Sequence, residues 1–265
     1  MNILVLIKYS LDIAEIKVDP KTCDLRLEGV PEKFGNIDKN AVEAAVRLKE
    51  KTGGTVKALT LGPARARDGF KDILAMGADE AILVEDPAQG NADAVVCVRV
   101  LEAAIRKLGV FDLIVCGFAS DDGYTYQVAP RLAERLGLPL VSYARSLEAR
   151  DGKISAERDL ESNLQQVEAP LPCIVSIAEE AFPPRRTTLM DAIKAKKKPV
   201  TVWTAQDTPE IEQVLSENQT FSRCVGQKGI VVQRKQQILK GQSMAEIADQ
   251  LIDSLIHENI LKEGE

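Results

Sequence analysis

Histidine is almost missing from this chain of 265 residues: His257 is the only one. A zinc site built on histidines and a Ser-His-Asp triad are therefore both excluded as working ideas, and no catalytic residue is assigned. Cysteine is scarce and scattered. Cys23, Cys97, Cys116, Cys173 and Cys224 form no CxxC pair and are odd in number, the usage of a reduced, cytoplasmic protein. Aromatic residues make up 4% of the chain. No run of about 20 apolar residues occurs, so no membrane span is expected. The opening "MNILVLIKYS" lacks a basic leader and its apolar run breaks at Lys8, unlike a signal peptide. Positive charge is also short: the net charge is -6 and the pI about 5.2, which argues against a nucleic-acid partner. No metal site is expected.

What is present is an ordinary globular composition, 45% apolar and 28% charged, enough for a sizeable core. The length suits one large domain with an appendage, or two small ones. "ILVLI" (3–7), "TVKALTLG" (55–62), "AILVE" (81–85) and "DLIVCG" (112–117) read as strands buried on both faces. Helical patterns alternate with them. Asp38 is placed to cap one in which Val42, Ala45, Val46 and Lys49 recur at helical spacing. "ARARDGFKDILAMGADEA" reads as a helix closing at Gly77, "ADAVVCVRVLEAAIRKLG" as one closing before Gly109, and "YQVAPRLAERLG" as one closing near Gly137. The alternation implies an α/β fold: a Rossmann-like parallel sheet with helices on both faces. After Pro139, Asp151-Gly152 between two alternating runs predicts an antiparallel hairpin addition. "PLPCIVSIA" predicts a further buried strand.

We expect an α/β domain over 1–204 and, over 205–265, a polar linker followed by a helical arm. In the arm, "SMAEIADQLIDSLIHENI" carries a capping box, Ser243 with Glu246. Its apolar stripe includes Met244, Ile247, Leu251, Ile252 and Leu255. That stripe either folds back on its own domain or covers a partner subunit.

"VCGFASDDGYTYQVAP" (115–130) follows a buried strand and opens a helix. Ligands of open α/β sheets lie at the carboxyl ends of strands, and a helix N-terminus suits phosphate. Gly117 and Gly123 allow close backbone approach, and Thr125 and Gln127 supply uncharged hydrogen-bonding groups. The stretch is neither GxGxxG nor a Walker loop. By spacing alone it could be a bland loop with an acidic N-cap, or Asp121 and Asp122 could serve a metal or acid/base role. "LGPARAR" (61–67), through Leu61, and the end of strand one, Leu6, Ile7 and Lys8, should line the same crevice. A second stretch, "TTLMDAIKAKKKPV" (187–200), sets Leu189 and Met190 beside four lysines: a solvated helix or a docking surface.

Over about residues 1–203 the chain resembles the β subunit of electron transfer flavoproteins. The resemblance is carried by "ILVLIKYSLD", "AVEAAVRLKE", "LGPARAR", "LAMGADEAILVE" and "PLPCIVSIAEE" with "LMDAIKAKKKPV", in that order. It implies a heterodimer with an α subunit that carries a flavin, passing electrons between a dehydrogenase, such as an acyl-CoA dehydrogenase, and an acceptor. The β subunit of this family holds FAD in electron-bifurcating members, which also meet NADH, and AMP in the others. The version with FAD is favoured, because Asp122, Gly123, Thr125, Gln127, Val128 and Pro130 agree with the two-flavin motif without gaps. The resemblance implies nucleotide contacts from Leu6, Ile7, Lys8, Asp38, Leu61, Gly117, Asp122, Gly123, Thr125, Gln127, Val128, Ala129 and Pro130. It makes 187–198 a recognition loop for dehydrogenases, with Leu189 as anchor and Met190, Ile193, Lys194, Lys196 and Lys197 around it. Three positions depart from the family: Phe118 stands where Arg or Lys is usual, Tyr124 where the two-flavin motif has Asp, and Gly35 where Asn is usual. A distant alternative is an ATP-using enzyme of similar fold. Those need a Gly/Ser-rich loop after the first strand, and "KYSLDIAEIKV" contains no glycine.

Overall fold

The computed structural model describes residues 1–85, 93–204, 207–217, 222, 224–232 and 234–262. The expected start of the third helix at Ala92, parts of the expected linker (205, 206, 218 and 219) and the last three residues of the arm lie outside the described residues. The chain forms two compact bodies, Met1–Lys17 with Arg26–Gln227, and Val18–Leu25 with Lys228–Glu265.

The first body is built on β1 (Asn2–Leu6), followed by β2 (Tyr9–Leu11), which pairs into a ribbon with β5 (Glu32–Phe34); between them β3 (Lys17–Val18) pairs with β4 (Leu25–Arg26), of which Val18 and Leu25 belong to the second body. Then come α1 (Asn36–Thr52), β6 (Thr55–Gly62), α2 (Phe70–Met76), β7 (Glu80–Glu85), α3 (Ala94–Leu108), β8 (Leu113–Gly117) and α4 (Val128–Leu136). The antiparallel part follows as β9 (Leu140–Arg150), β10 (Lys153–Asp159) and β11 (Leu164–Pro170). The chain returns through β12 (Cys173–Ile177), α5 (Leu189–Ala195), β13 (Val200–Trp203) and α6 (Pro209–Ser216). The nine-stranded sheet has the order β11-β10-β9-β12-β8-β1-β6-β7-β13. Only β10 runs against the other strands of this sheet, so the β9–β10 and β10–β11 pairs are antiparallel and the other pairs parallel.

Successive side chains of a strand point to opposite faces, and β1 shows both. Ile3 and Val5 pack with Ala41, Val42 and Ala45 of α1 and Phe70 and Ile73 of α2. Leu4 and Leu6 pack with Leu101 and Ile105 of α3, Leu132 of α4 and Ile211 of α6. The expected α/β sandwich is therefore present, with helices on both faces.

Gly77, Gly109 and Gly137 end their helices with φ of 127°, 100° and 66°. Asp151 and Gly152 turn the β9–β10 hairpin with φ of 51° and 74°, the positive pair a two-residue turn of this kind requires.

Three expectations need correction. Asp38 does not cap α1. The cap position is Gly35, and Asp38 lies buried inside the first turn. The segment before α2 is not α-helical, because Ala64–Gly69 form tight 3₁₀ turns. There the rings of Tyr9 and Phe34 press on the Gly69 backbone, and a Cβ would come within 2.8 Å of Tyr9. The polar stretch read as a linker contains α6, whose Ile211 is fully buried among apolar residues of α3.

In the second body the C-terminal segment is tied to the 18–25 hairpin. Gly229 N–H donates to the Cys23 carbonyl at 2.8 Å, and the Lys228 ammonium pairs with Asp24. A Cβ at Gly229 would run into Val18 and Leu25, so glycine is required by close approach. The helix α7 (Met244–His257) follows. Ser243 accepts from Glu246 N–H as expected. The Glu246 carboxylate, however, accepts from Gln242 N–H at 2.7 Å, one residue before the cap. No residue of α7 is buried. Among the described residues no helix is long and apolar enough to cross a membrane.

Candidate functional site

The chain runs from β1 outward to β6 and β7, then returns to the far side of β1 as β8. At such a switch the connections leave the two strand ends in opposite directions and open a crevice between them. A cleft of about 490 Å³ lies there, within the range of about 300–1,000 Å³ typical of small-molecule and cofactor sites.

Most of the residues singled out from sequence meet in this cleft. Leu6, Ile7 and Lys8 arrive from β1, Leu61 from β6 and Asp38 from α1. Gly117, Gly123, Thr125, Gln127, Val128 and Ala129 arrive from the turn after β8 and the start of α4. Asp122 and Pro130 do not line it. The Asp122 carboxylate instead pairs with the Lys8 ammonium at 2.8 Å, and Pro130 is exposed within α4.

The floor is unusual for its buried acid. Asp38 accepts from the Lys8 backbone N–H at 3.1 Å. Burial raises its pKa to about 8, with the Asp121 carboxylate adding to the rise and the backbone bonds opposing it. It is thus largely a neutral acid at pH 7, able to donate as well as accept. Cys116, also in the floor, has its thiol pushed up to about 12 by burial, which removes it as a nucleophile.

Two helices begin at the cleft, and they differ. At α3 the Asp93 carboxylate accepts from Val95 and Val96 N–H at 3.0 Å and from Ser222 N–H at 2.9 Å. That N-terminus is filled by an anion of the chain itself. At α4, Gln127 occupies the cap position and makes no side-chain cap bond. The Val128 and Ala129 N–H groups have no partner within the helix, whereas Pro130 has no N–H and Arg131 N–H donates to the Gln127 carbonyl at 3.2 Å. Arg131 lines the cleft one turn on and donates to the Gln127 side chain at 2.8 Å. The α4 N-terminus is therefore the open anion seat. No Cβ obstructs its approach at Gly117, where a side chain would collide with Ile37.

Sequence reasoning missed two other surfaces of the cleft. Val95, Cys97 and Leu101 of α3 form an apolar wall, and Phe118 and Tyr126 form an aromatic rim. Cys97 and Leu101 repeat at helical spacing and read as ordinary core. For the rim, Phe118, Tyr124 and Tyr126 close together in one turn of a chain with few aromatics was the available signal.

The second candidate region, Leu189–Ala195, is a short helix fixed at both ends. Thr188 and Asp191 form a reciprocal capping box. Just upstream, Arg185 grips Glu43 at 2.8 Å and Glu50 at 2.6 Å, both on α1. Just downstream, the Lys198 ammonium donates to the Leu74 and Ala78 carbonyls at 2.8 and 2.6 Å. Held this way, Leu189 is 78% exposed, and Met190 and Ile193 are exposed beside it. Lys194, Lys196 and Lys197 are exposed too. Lys198 belongs to the mounting, so the exposed lysines are those three.

Comparison with known proteins gives a consistent answer. The family profile for the electron transfer flavoprotein domain matches residues 24–208. The chain is 40% identical over 208 residues to an electron transfer flavoprotein subunit beta of Thermoanaerobacterium thermosaccharolyticum, covering 78% of this chain and 80% of the relative. It is 32% identical over 262 residues to the caffeyl-CoA reductase-Etf complex subunit CarD of Acetobacterium woodii, covering 98% and 100%. It is 33% identical over 236 residues to the acryloyl-CoA reductase electron transfer subunit gamma of Anaerotignum propionicum, covering 84% and 86%. With the α/β fold and the cleft at its switch point, these matches place the chain in the electron transfer flavoprotein family, as a beta-like electron transfer subunit.

Proposed function

We propose that this chain is the nucleotide-holding and partner-docking half of a heterodimeric electron transfer flavoprotein, and that its cleft holds FAD. The observation that carries the reading is the variety of the cleft's lining. The Val128 and Ala129 amides at the start of α4, with the Arg131 and Lys8 side chains, suit a diphosphate. Its apolar α3 wall and its aromatic rim lie on different elements and suit two separate ring systems. A dinucleotide has one polar centre and two rings; AMP, the second reading, leaves one of the two apolar surfaces without a ring. The flavin supplies the redox chemistry. The chain's own residues bind and orient: Asp38 offers a protonated carboxyl at the floor, and Gly117 lets the backbone come close.

The exposed apolar patch of α5 is the docking site for a dehydrogenase or reductase. A small apolar hot spot ringed by cations seats in a pocket and steers an acidic partner. The matches to subunits named for caffeyl-CoA and acryloyl-CoA reductases favour a partner acting on acyl-CoA thioesters. The α subunit completes the heterodimer, and in a two-flavin carrier NADH would deliver electrons at this subunit's FAD.

The test is to co-purify the chain with its α partner, denature the complex and identify the released nucleotides by chromatography. Two FAD per heterodimer supports the reading. One FAD with one AMP replaces it with a single-flavin carrier.

A further inference from the structure

The chain has four tyrosines and six phenylalanines. Three of those tyrosines and Phe118 gather at the cleft's rim. Phe118 touches Tyr124, Tyr126 and Tyr143 at centroid distances of 5.8, 5.7 and 6.2 Å. Tyr124 meets Tyr126 at 5.7 Å, and Tyr126 meets Tyr143 at 6.5 Å. The Phe118–Tyr124 and Tyr124–Tyr126 pairs are edge to face, at 83° and 81°. Edge-to-face packing joins rings without stacking one face over another, so ring faces stay free for a third party. Tyr124 and Tyr126 are 42% and 43% exposed.

Building this cluster required strain. Tyr124, Tyr126 and Tyr143 have φ of 43°, 60° and 57°, a region that bulky side chains rarely occupy. Tyr143 stands in a β-bulge. Between the pairs Val141 with Val175 and Ala144 with Ile177, β9 spends one residue more than β12. The released Tyr143 N–H is taken by the Ser176 hydroxyl at 3.2 Å. Bulges of this kind re-aim a side chain, and here the re-aimed ring joins the other three. Strain held at three positions of one rim is a mark of a working surface. Among the described residues no cation sits over these four rings. The charged groups that bear on Tyr124 are Glu179 and Asp121, which with burial keep its phenol protonated.

We infer that Phe118, Tyr124, Tyr126 and Tyr143 form a stacking face for the isoalloxazine ring of the nucleotide bound in the cleft, with no cation inside the cluster itself. The inference rests on the FAD reading above. It replaces ionic contact with ring stacking as the means of holding the ring. Phe118 and Tyr126, which line the cleft, make the direct contact, while Tyr143 props Tyr126 from behind. The Glu179 and Asp121 carboxylates beside the cluster disfavour the anionic reduced ring, so the site would hold its flavin at a lower potential than a site with a cation at position 118.

The experiment uses the co-purified heterodimer, with bound FAD counted first. Wild type, Tyr126→Leu and Phe118→Arg are compared by flavin fluorescence, FAD retention on dilution and reductive titration. A phenol in contact quenches isoalloxazine emission. Tyr126→Leu is therefore expected to raise the emission of bound flavin severalfold. Loss of a stacked aromatic weakens retention of one FAD about ten- to a hundredfold. Phe118→Arg should retain both FAD and move one of the two potentials upward. Two FAD bound with emission, retention and potentials all unchanged would overturn the stacking face while leaving the FAD reading intact. A changed heterodimer dissociation constant with unchanged emission would overturn it in favour of a protein surface. One FAD with one AMP would overturn the FAD reading itself.

Discussion

The Asp121 carboxylate occupies the space beside Gly35 where a side chain would otherwise project, and accepts a hydrogen bond from Asn36 N–H at 3.0 Å. Gly35 is the cap residue of α1 and has no side chain to perform the role. An acid from a turn 85 residues away caps the helix in its place. A negative charge there is favourable against the helix dipole. The absence of the family's usual Asn at position 35 and the presence of Asp121 are thus one arrangement. Asp121→Ala should cost about 1 kcal/mol of stability, as for other lost caps. Gly35→Asn should also destabilise, because its Cβ overlaps that carboxylate. The double variant should recover most of the loss, since Asn can cap the helix itself. Thermal unfolding of the four proteins as a double-mutant cycle measures this coupling; additive losses would contradict it.

Asp38 gives the protein a specific pH dependence. Its folded pKa, about 8, stands above that of an ordinary carboxyl. Between roughly pH 4 and 8 the folded state holds a proton there that the unfolded chain releases. The stability linked to this proton is complete below the unfolded pKa and is lost as pH rises toward 8. Across that window the loss approaches about 1.4 kcal/mol per pH unit. Asp38→Asn keeps the shape and cannot ionise, so its unfolding midpoint should vary less between about pH 5.5 and 8. Parallel curves for the two proteins would show that Asp38 is ionised in the fold.

The two kinds of lysine around α5 should separate cleanly. Lys198 donates to two carbonyls at the end of α2. Removing it leaves acceptors unmatched, and Lys198→Ala should cost on the order of 1–3 kcal/mol. Lys196→Ala with Lys197→Ala should leave stability within about 0.5 kcal/mol, as exposed substitutions do. It should instead slow electron transfer with the partner dehydrogenase, most strongly at low salt. Leu189→Ala should leave nucleotide and unfolding midpoint intact and slow that transfer about tenfold, the loss of a modest hot spot. Equal rates for wild type and Leu189→Ala would remove α5 as the docking element.

Much of this architecture was legible in the sequence because burial leaves a plain record. The "ILVLI" and "LIVCG" runs are covered on both faces and carry no charged residue. The helix stops at Gly77, Gly109 and Gly137 were legible because positive φ selects glycine. Other features left no local trace. The edge strand β11, "LQQVEAP", is polar because one side of it meets solvent. The bulge at Tyr143 is a property of register between two strands. Asp38 looked like a cap because it is an acid near a helix start; the true cap is supplied by Asp121 through the tertiary fold. Most of the cleft's floor and turn could be named in advance. Its α3 wall could not, because Cys97 and Leu101 show the same spacing whether they face a core or a ligand.

The arm is the remaining test of how the subunit assembles. Met244 is 80% exposed in α7, and Leu251 and Ile252 are 48% exposed on the same helix. An amphipathic helix with an apolar stripe and no buried residue needs a cover. Each large aliphatic side chain fully buried in an interface contributes about 1.5–3 kcal/mol. If the α subunit supplies the cover, deleting 243–265 should weaken the heterodimer at least a hundredfold, about 2.7 kcal/mol. Leu251→Asp with Ile252→Asp should do the same without shortening the chain. In both cases the unfolding midpoint of the first body should hold, because its core contains none of these residues. A heterodimer dissociation constant that does not move in either variant would mean that the stripe serves something other than the α subunit.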